Sequence, residues 1–205
     1  MTVKGDPGHK GPPKGAQKRT QAERRATTRA ALLDAARDLF AENGFAATGR
    51  EEIVERAGVT RGAMYHHFAS KEALFQAVYE QLESELMEAI LTAAMVVPDP
   101  IGQLRAGAHA FLDAAADPAV RRVVLLDAPS VLSPELRREL VERYGLGATR
   151  EVLAEAMAAG LIAQQPVDLL ATVVMAALHA AAELVADGRD RTAVGVIVDR
   201  MIEGL

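Results

Sequence analysis

The sequence predicts an all-α protein, and three observations carry that expectation. Alanine-rich apolar stretches recur at helical spacing, glycines fall mostly at their boundaries, and no strand-like alternation of useful length appears. With 205 residues, half of them apolar but only 4% aromatic and none Trp, there is ample chain to bury a core in one or two domains. The punctuation of the chain implies about nine helices.

Taken in order, residues 1–26 read as a flexible basic tail rich in Gly, Pro and Lys, too poor in apolar surface to order itself. Thr27 or Thr28 caps a first helix through Glu42, with Leu32, Ala36, Leu39 and Phe40 inward and Asn43-Gly44 as its stop. The second helix, 51–57, turns Ile53, Val54 and Ala57 to the core and Glu51, Glu52, Glu55 and Arg56 to water. Gly58 supplies the left-handed residue that ends it, Val59 plugs the turn, and Thr60 caps a third helix over 61–68 that buries Met64 and Phe68. So short a helix is unstable alone and must lean on its neighbours.

Ser70 caps a long helix from Lys71 to about Val96, striped by Leu74, Val78, Leu82, Leu86, Ile90 and Leu91. Asp99-Pro100 starts a helix ending near Asp117, and Asp117-Pro118 starts another to about Ala128. Ser133-Pro134 starts the next through Tyr144. Beyond Gly145 and Gly147 the chain continues helically to Ala159, as one kinked helix or as two. Pro166 begins a long, very apolar helix to Ala186, and Asp190 begins the last, to about Glu203.

Composition narrows the classes of function. Without cysteine, neither disulfides nor thiolate chemistry is available. No apolar h-region marks a secretory signal, and the longest apolar stretch, Leu169 to Ala186, is interrupted by His179 and Glu183 and falls short of a convincing membrane span. A cytoplasmic protein with no membrane partner is expected. The net charge of −5 is unevenly spread: residues 1–30 carry eight Lys and Arg against two acids, a balance of +6, which leaves −11 for the rest. A basic end on an acidic body suits a chain that meets phosphate at one end, and an incidentally charged leader gives the same pattern.

Thr48 to Lys71 has the layout of a DNA-reading helix-turn-helix. Gly62 and Ala63, facing out, would let a helix lie close against base edges, and Arg61 can make a bidentate contact to guanine. Tyr65, His66, His67 and Lys71 suit phosphate oxygens. An ordinary buried helical hairpin shows the same spacing, so this segment alone leaves both readings open.

The wider pattern resembles the tetracycline-repressor (TetR) family of bacterial transcription regulators. The resemblance runs from Thr28 to Glu80 through Ala35-Ala36, Leu39-Phe40, Asn43-Gly44-Phe45, Thr48, Ile53, Ala57-Gly58-Val59-Thr60, the run Gly62 to Phe68, and Ser70 to Leu74. It implies a helix-turn-helix DNA-binding domain over 27–75 and an effector-binding and dimerisation domain over 76–205. The partners it implies are double-stranded operator DNA, a small-molecule effector and a second copy of the chain, paired through the last two helices. It further implies phosphate contacts at Thr48, Tyr65, His66 or His67, and Lys71, and base contacts at Arg61, Gly62 and Ala63, beside the capping Thr60. Gly49 and Arg50 depart from the family pattern: Gly49 weakens the start of the second helix, and Arg50 exchanges a buried contact for one to phosphate.

The body is read on physics. The 169–186 helix, apolar nearly all round, should face its own domain on one side and a symmetry mate on the other, with Val194, Ile197, Val198, Met201 and Ile202 completing that interface. A largely apolar effector cavity is expected among His109, Phe111, Leu112, Leu125, Leu126, Tyr144, Met157, Met175 and His179, although Leu, Met and Phe at helical spacing are more often plain core. His179 and Glu183, four apart, would suit two metal ligands, with His109 as a third, but no spacing fixes a site. No catalytic motif is present, so an enzyme is not expected and no cofactor or metal is assigned. The expected function is a ligand-responsive repressor that binds a palindromic operator as a homodimer. The alternatives are an architectural DNA binder without effector and, last, a helical metalloenzyme.

Overall fold

Thr20, rather than Thr27 or Thr28, opens the first helix of the computed structural model, which describes residues 20–205. Its hydroxyl accepts from the Glu23 N–H at 3.2 Å, while the Glu23 carboxylate accepts from the Thr20 N–H at 2.7 Å. Helix α1 (Gln21–Ala47) therefore takes in Arg24 and Arg25, which the sequence reading assigned to the tail. The remainder of that expected tail, residues 1–19, lies outside the described residues. Gly44 breaks α1 at φ 79°, where the sequence placed its stop, and one more turn carries the chain to Ala47.

Helices α2 (Arg50–Arg56) and α3 (Arg61–His67) follow, joined through Gly58 at φ 65°. The Thr60 hydroxyl accepts from the Ala63 N–H at 3.2 Å and starts α3, and Ile53 and Met64 are fully buried against α1. Ser70 caps α4 (Lys71–Met95), which buries Leu74, Phe75, Val78, Tyr79, Leu82 and Leu86. Phe75 meets Phe40 of α1 and Phe45 edge-on, at centroid distances of 5.4 and 5.2 Å, so one aromatic cluster ties the first turn of α4 into the three-helix head.

The body begins with α5 (Pro100–Ala114), which packs along α4 more extensively than any other helix pair. Helix α6, residues 120–131, is π-helical over Val120–Asp127 and α-helical over Ala128–Val131. Pro129 gives a reason: it has no N–H, and its ring would press on the carbonyl four residues back, so a wider preceding turn relieves the clash. Helix α7, residues 134–158, is the single kinked helix of the two options, with Pro134–Val141 and Gly147–Ala158 joined by the π-helical Glu142–Leu146.

Helices α8 (Val167–Ala186) and α9 (Arg191–Glu203) complete nine helices among the described residues. The inner face of α8 buries Ala171, Val174, Leu178, Ala182 and Val185, while Leu169, Val173 and Leu184 lie exposed. On α9 the expectation needs correcting. Val194, Val198 and Ile202, four apart, are buried in the chain's own body because α9 lies on α5 and α8, and the outward apolar residues are Val196 and Ile197. By length and mean hydropathy, α8 is also the one helix among the described residues apolar enough to cross a membrane.

Candidate nucleic-acid interface and effector cavity

The outer face of α3 is built as a short row of polar side chains beside a bare stretch of backbone. Gly62 is exposed, and a Cβ added there would meet nothing within 4 Å, so the helix can approach a flat partner closely. Arg61 and Tyr65 stand one turn apart, with the guanidinium 5.8 Å from the ring centroid. Arg50, at the start of α2, donates to the Tyr65 hydroxyl at 3.1 Å, so the departure from the family pattern creates a tie between α2 and α3. Arg61, chiefly, and Arg50 lower the pKa of the Tyr65 phenol. Glu51 lies 3.3 Å from Arg61 across open solvent, where an ion pair is weak and easily exchanged for another anion.

His66 and His67 stack edge-on at 5.6 Å and open onto a shallow groove that Gln21, Arg24, Arg25 and Thr28 of α1 complete. Burial, then the charges of His66, Arg25 and Arg29, lower the pKa of His67. Cations thus crowd this end of the head. The early start of α1 adds Arg24 and Arg25 to it, and the signal for that start was legible in the sequence as a Thr followed three residues later by a Glu.

Two residues expected at phosphates are placed differently. Thr48 is 2% exposed, and its hydroxyl reaches the carbonyls of Gly44 at 2.8 Å and Leu39 at 3.1 Å, closing the break in α1. Its side chain is a structural clip. Lys71 donates to the carbonyls of Phe45 at 2.7 Å and Thr48 at 2.9 Å, and its Nζ lies 4.1 Å from the Phe45 ring centroid. An ammonium satisfies unpaired carbonyls and rests on an aromatic face at once, so the interior of the head takes two of its three N–H groups.

The body contains a cavity of ≈ 110 Å³ between α4, α5, α7 and α8. Of the nine candidates, it gathers Phe111, Met175 and His179. Leu112, Leu125 and Met157 are core, Leu126 faces outward, and Tyr144 packs against the core without lining the cavity. His109 instead bridges α5 to α9: Arg191 donates to its Nδ1 at 3.0 Å, so Nε2 carries the proton toward Asp199 at 2.8 Å. The sequence reading overlooked Glu83, Met87 and Thr149 on the cavity wall. Glu83 had a signal, since it interrupts an apolar stripe at Tyr79, Leu86 and Ile90, where a carboxylate has no reason to stand unless it faces a space. Gly145 lines the cavity at the widened turn of α7, where a Cβ would fall 2.8 Å from Met175 Cε.

A short third helix with a bare outer face on a three-helix head, carried by a helical body with an internal cavity, is the architecture of a helix-turn-helix protein with a second, cavity-bearing domain. Residues 101–205 match the family model described as "Tetracyclin repressor-like, C-terminal domain", and residues 32–78 match that of the "Bacterial regulatory proteins, tetR family". The chain belongs to the TetR family of transcriptional regulators. It is 36% identical over 101 residues to the HTH-type transcriptional activator FasR of Mycolicibacterium smegmatis, covering 49% of this chain and 46% of the relative. It is 43% identical over 79 residues to the HTH-type transcriptional regulator AcrR of Shigella flexneri, covering 38% and 37%. These matches span less than half the length of the curated relatives. Among solved structures, a TetR-family regulator from Pectobacterium atrosepticum is 32% identical and superposes with a TM-score of 0.72 over 90% of this chain and 94% of that one.

Proposed function

We propose that this regulator is a ligand-responsive repressor that binds a palindromic operator as a homodimer and is released by a small-molecule effector. The observation that carries the reading is the continuity of α4. Its first turn holds Lys71 and Phe75 in the head, and two to five turns later Glu83, Leu86 and Ile90 line the cavity. Anything that expands the cavity pushes on the helix that carries the head.

In this reading Gly62 and Ala63 admit α3 into the major groove, Arg61 reads guanine, and Arg50, Thr60, Tyr65, His66 and His67 meet phosphates. The outward apolar residues of α8 and α9 pair with their symmetry mates, which sets two heads about one DNA turn apart. Effector binding changes that separation, and both half-sites lose contacts together. A coupling of about 1–3 kcal/mol corresponds to a roughly 5- to 150-fold loss of operator affinity.

The test is operator affinity of the purified protein with and without each member of a small-molecule library. A set of ligands that bind the protein yet leave operator affinity unchanged would sink the sensor reading. A rise in affinity on binding would make the ligand a co-repressor and overturn release as its action.

A further inference from the structure

The polar part of the cavity wall has a one-sided hydrogen-bonding character. Four polar side chains line the cavity: Glu83, Gln103, Thr149 and His179. Three of them direct donors at the protein itself. Thr149 donates its hydroxyl to the Gly145 carbonyl at 3.1 Å, and Gln103 donates to the Val97 carbonyl at 3.0 Å. His179 stands 3.0 Å from the Met175 carbonyl through Nδ1, and because a carbonyl can only accept, Nδ1 carries a proton, which makes Nε2 an acceptor in the neutral ring.

Glu83 is the ionisable acid of this wall. Among the described residues no lysine or arginine lines the cavity. Tyr79 and His179 are the titratable neighbours of Glu83, and burial outweighs both in raising its pKa. The charge of His179 offsets the burial of this carboxyl only in part, and the rest of the wall is hydrocarbon and thioether: Leu86, Ile90, Phe111 and Met175. An anionic ligand would meet Glu83 with no lysine or arginine on the wall to balance the two charges.

We propose that the cavity takes a small apolar amine, held as an ammonium ion by Glu83 with His179 Nε2 as second acceptor, and with its hydrocarbon among Leu86, Ile90, Phe111 and Met175. This rests on the sensor reading above and names its ligand class. The volume of ≈ 110 Å³, below the about 150 Å³ of a cavity that accepts benzene, limits the ligand to a short branched chain. Met87 and Met175 lend the wall some adaptability in shape.

The test compares three small branched probes on the full chain by titration calorimetry: isobutylamine, neutral isopentane and anionic isobutyrate. Isobutylamine is expected to bind at least about tenfold tighter than isopentane, because a hydrogen-bonded charge pair adds roughly that much, with isobutyrate weakest. Glu83→Gln should remove the amine's advantage over the hydrocarbon. The comparison among probes needs no variant, so it stands even where Glu83→Gln folds poorly. Equal binding of amine and hydrocarbon, or an amine advantage that survives Glu83→Gln, overturns the inference while leaving the sensor reading intact. Binding of none of the three overturns it as well, and the sensor reading is then decided separately by whether other ligands release the operator.

Discussion

Asp127 of α6 accepts the backbone N–H of Phe45 through Oδ2 at 2.7 Å, and the same oxygen takes the Arg122 Nε at 3.3 Å. The Phe45 N–H needs an outside partner because Gly44 has left the helix at φ 79°. Arg122 lies flat over Gly44, so closely that a Cβ there would collide with the guanidinium. The head is thus fastened to the body at two places, through α4 and through this clasp.

Removing the clasp should cost stability. For Asp127→Ala we expect a loss of about 1–3 kcal/mol, since a partly buried N–H and Arg122 both lose their partner, with a smaller loss for Asp127→Asn. Urea unfolding followed by circular dichroism checks this. A midpoint unchanged in Asp127→Ala would show that the contact contributes nothing net. Gly44→Ala should be at least as damaging, because it combines a left-handed backbone with that collision.

Lys71 and Arg50 should separate cleanly in salt titrations. Arg50→Ala is expected to flatten the slope of log affinity against log salt by about 0.9, the signature of one lost phosphate contact, and Tyr65→Phe should weaken binding to every sequence alike. Lys71→Ala should instead lower folding stability by about 1–3 kcal/mol and leave the slope nearly unchanged, because its ammonium is held by Phe45 and Thr48. A flattened slope with intact stability for Lys71→Ala would return it to the DNA surface.

Arg61 is expected to set sequence preference. Arg61→Ala should relax selection at one base position per half-site by about 1–3 kcal/mol, read from the profile of sites enriched out of a random pool. An unaltered profile would mean that α3 meets the groove with another face.

The exposed faces of α8 and α9 give a prediction about assembly. Val173 and Ile197 are each 66% exposed, unusual for large aliphatic side chains. The double variant Val173→Glu, Ile197→Glu should sediment as a monomer and lose tight operator binding while keeping its helical content. A dimer that survives both charges would place the interface elsewhere.

Glu83 should make stability depend on pH in a direction opposite to most carboxylates. Its folded pKa is raised above the ordinary 4.5 by burial, with Tyr79 and His179 facing it, so the folded state holds the proton to higher pH than the unfolded chain does. The contribution is therefore present below pH 4.5 and is lost as pH rises through the folded value. Glu83→Gln should be more stable than the parent at pH 8, with the difference shrinking toward pH 4.5. Parallel stability curves for the two proteins would contradict a carboxyl whose pKa is raised by burial.

What the sequence determined is local. Helix starts at Thr60, Ser70, Asp99, Ser133 and Asp190 follow from side chains that cap their own backbone three residues or fewer ahead, and the turns at Gly44 and Gly58 follow from a conformation that side chains resist. The third helix and its outer face were legible for the same reason: Arg61, Gly62, Ala63 and Tyr65 lie within two turns of one another, and Met64 and Phe68 show which side is buried. Tertiary structure decided which donors find which acceptors across long separations. Lys71 could have faced phosphate or the carbonyls of Phe45 and Thr48, and only the fold brings those carbonyls to it. Likewise the cavity collects Glu83, Phe111, Thr149 and His179 from four helices, and apolar periodicity says that a face is inward without saying whether it meets another side chain or a space.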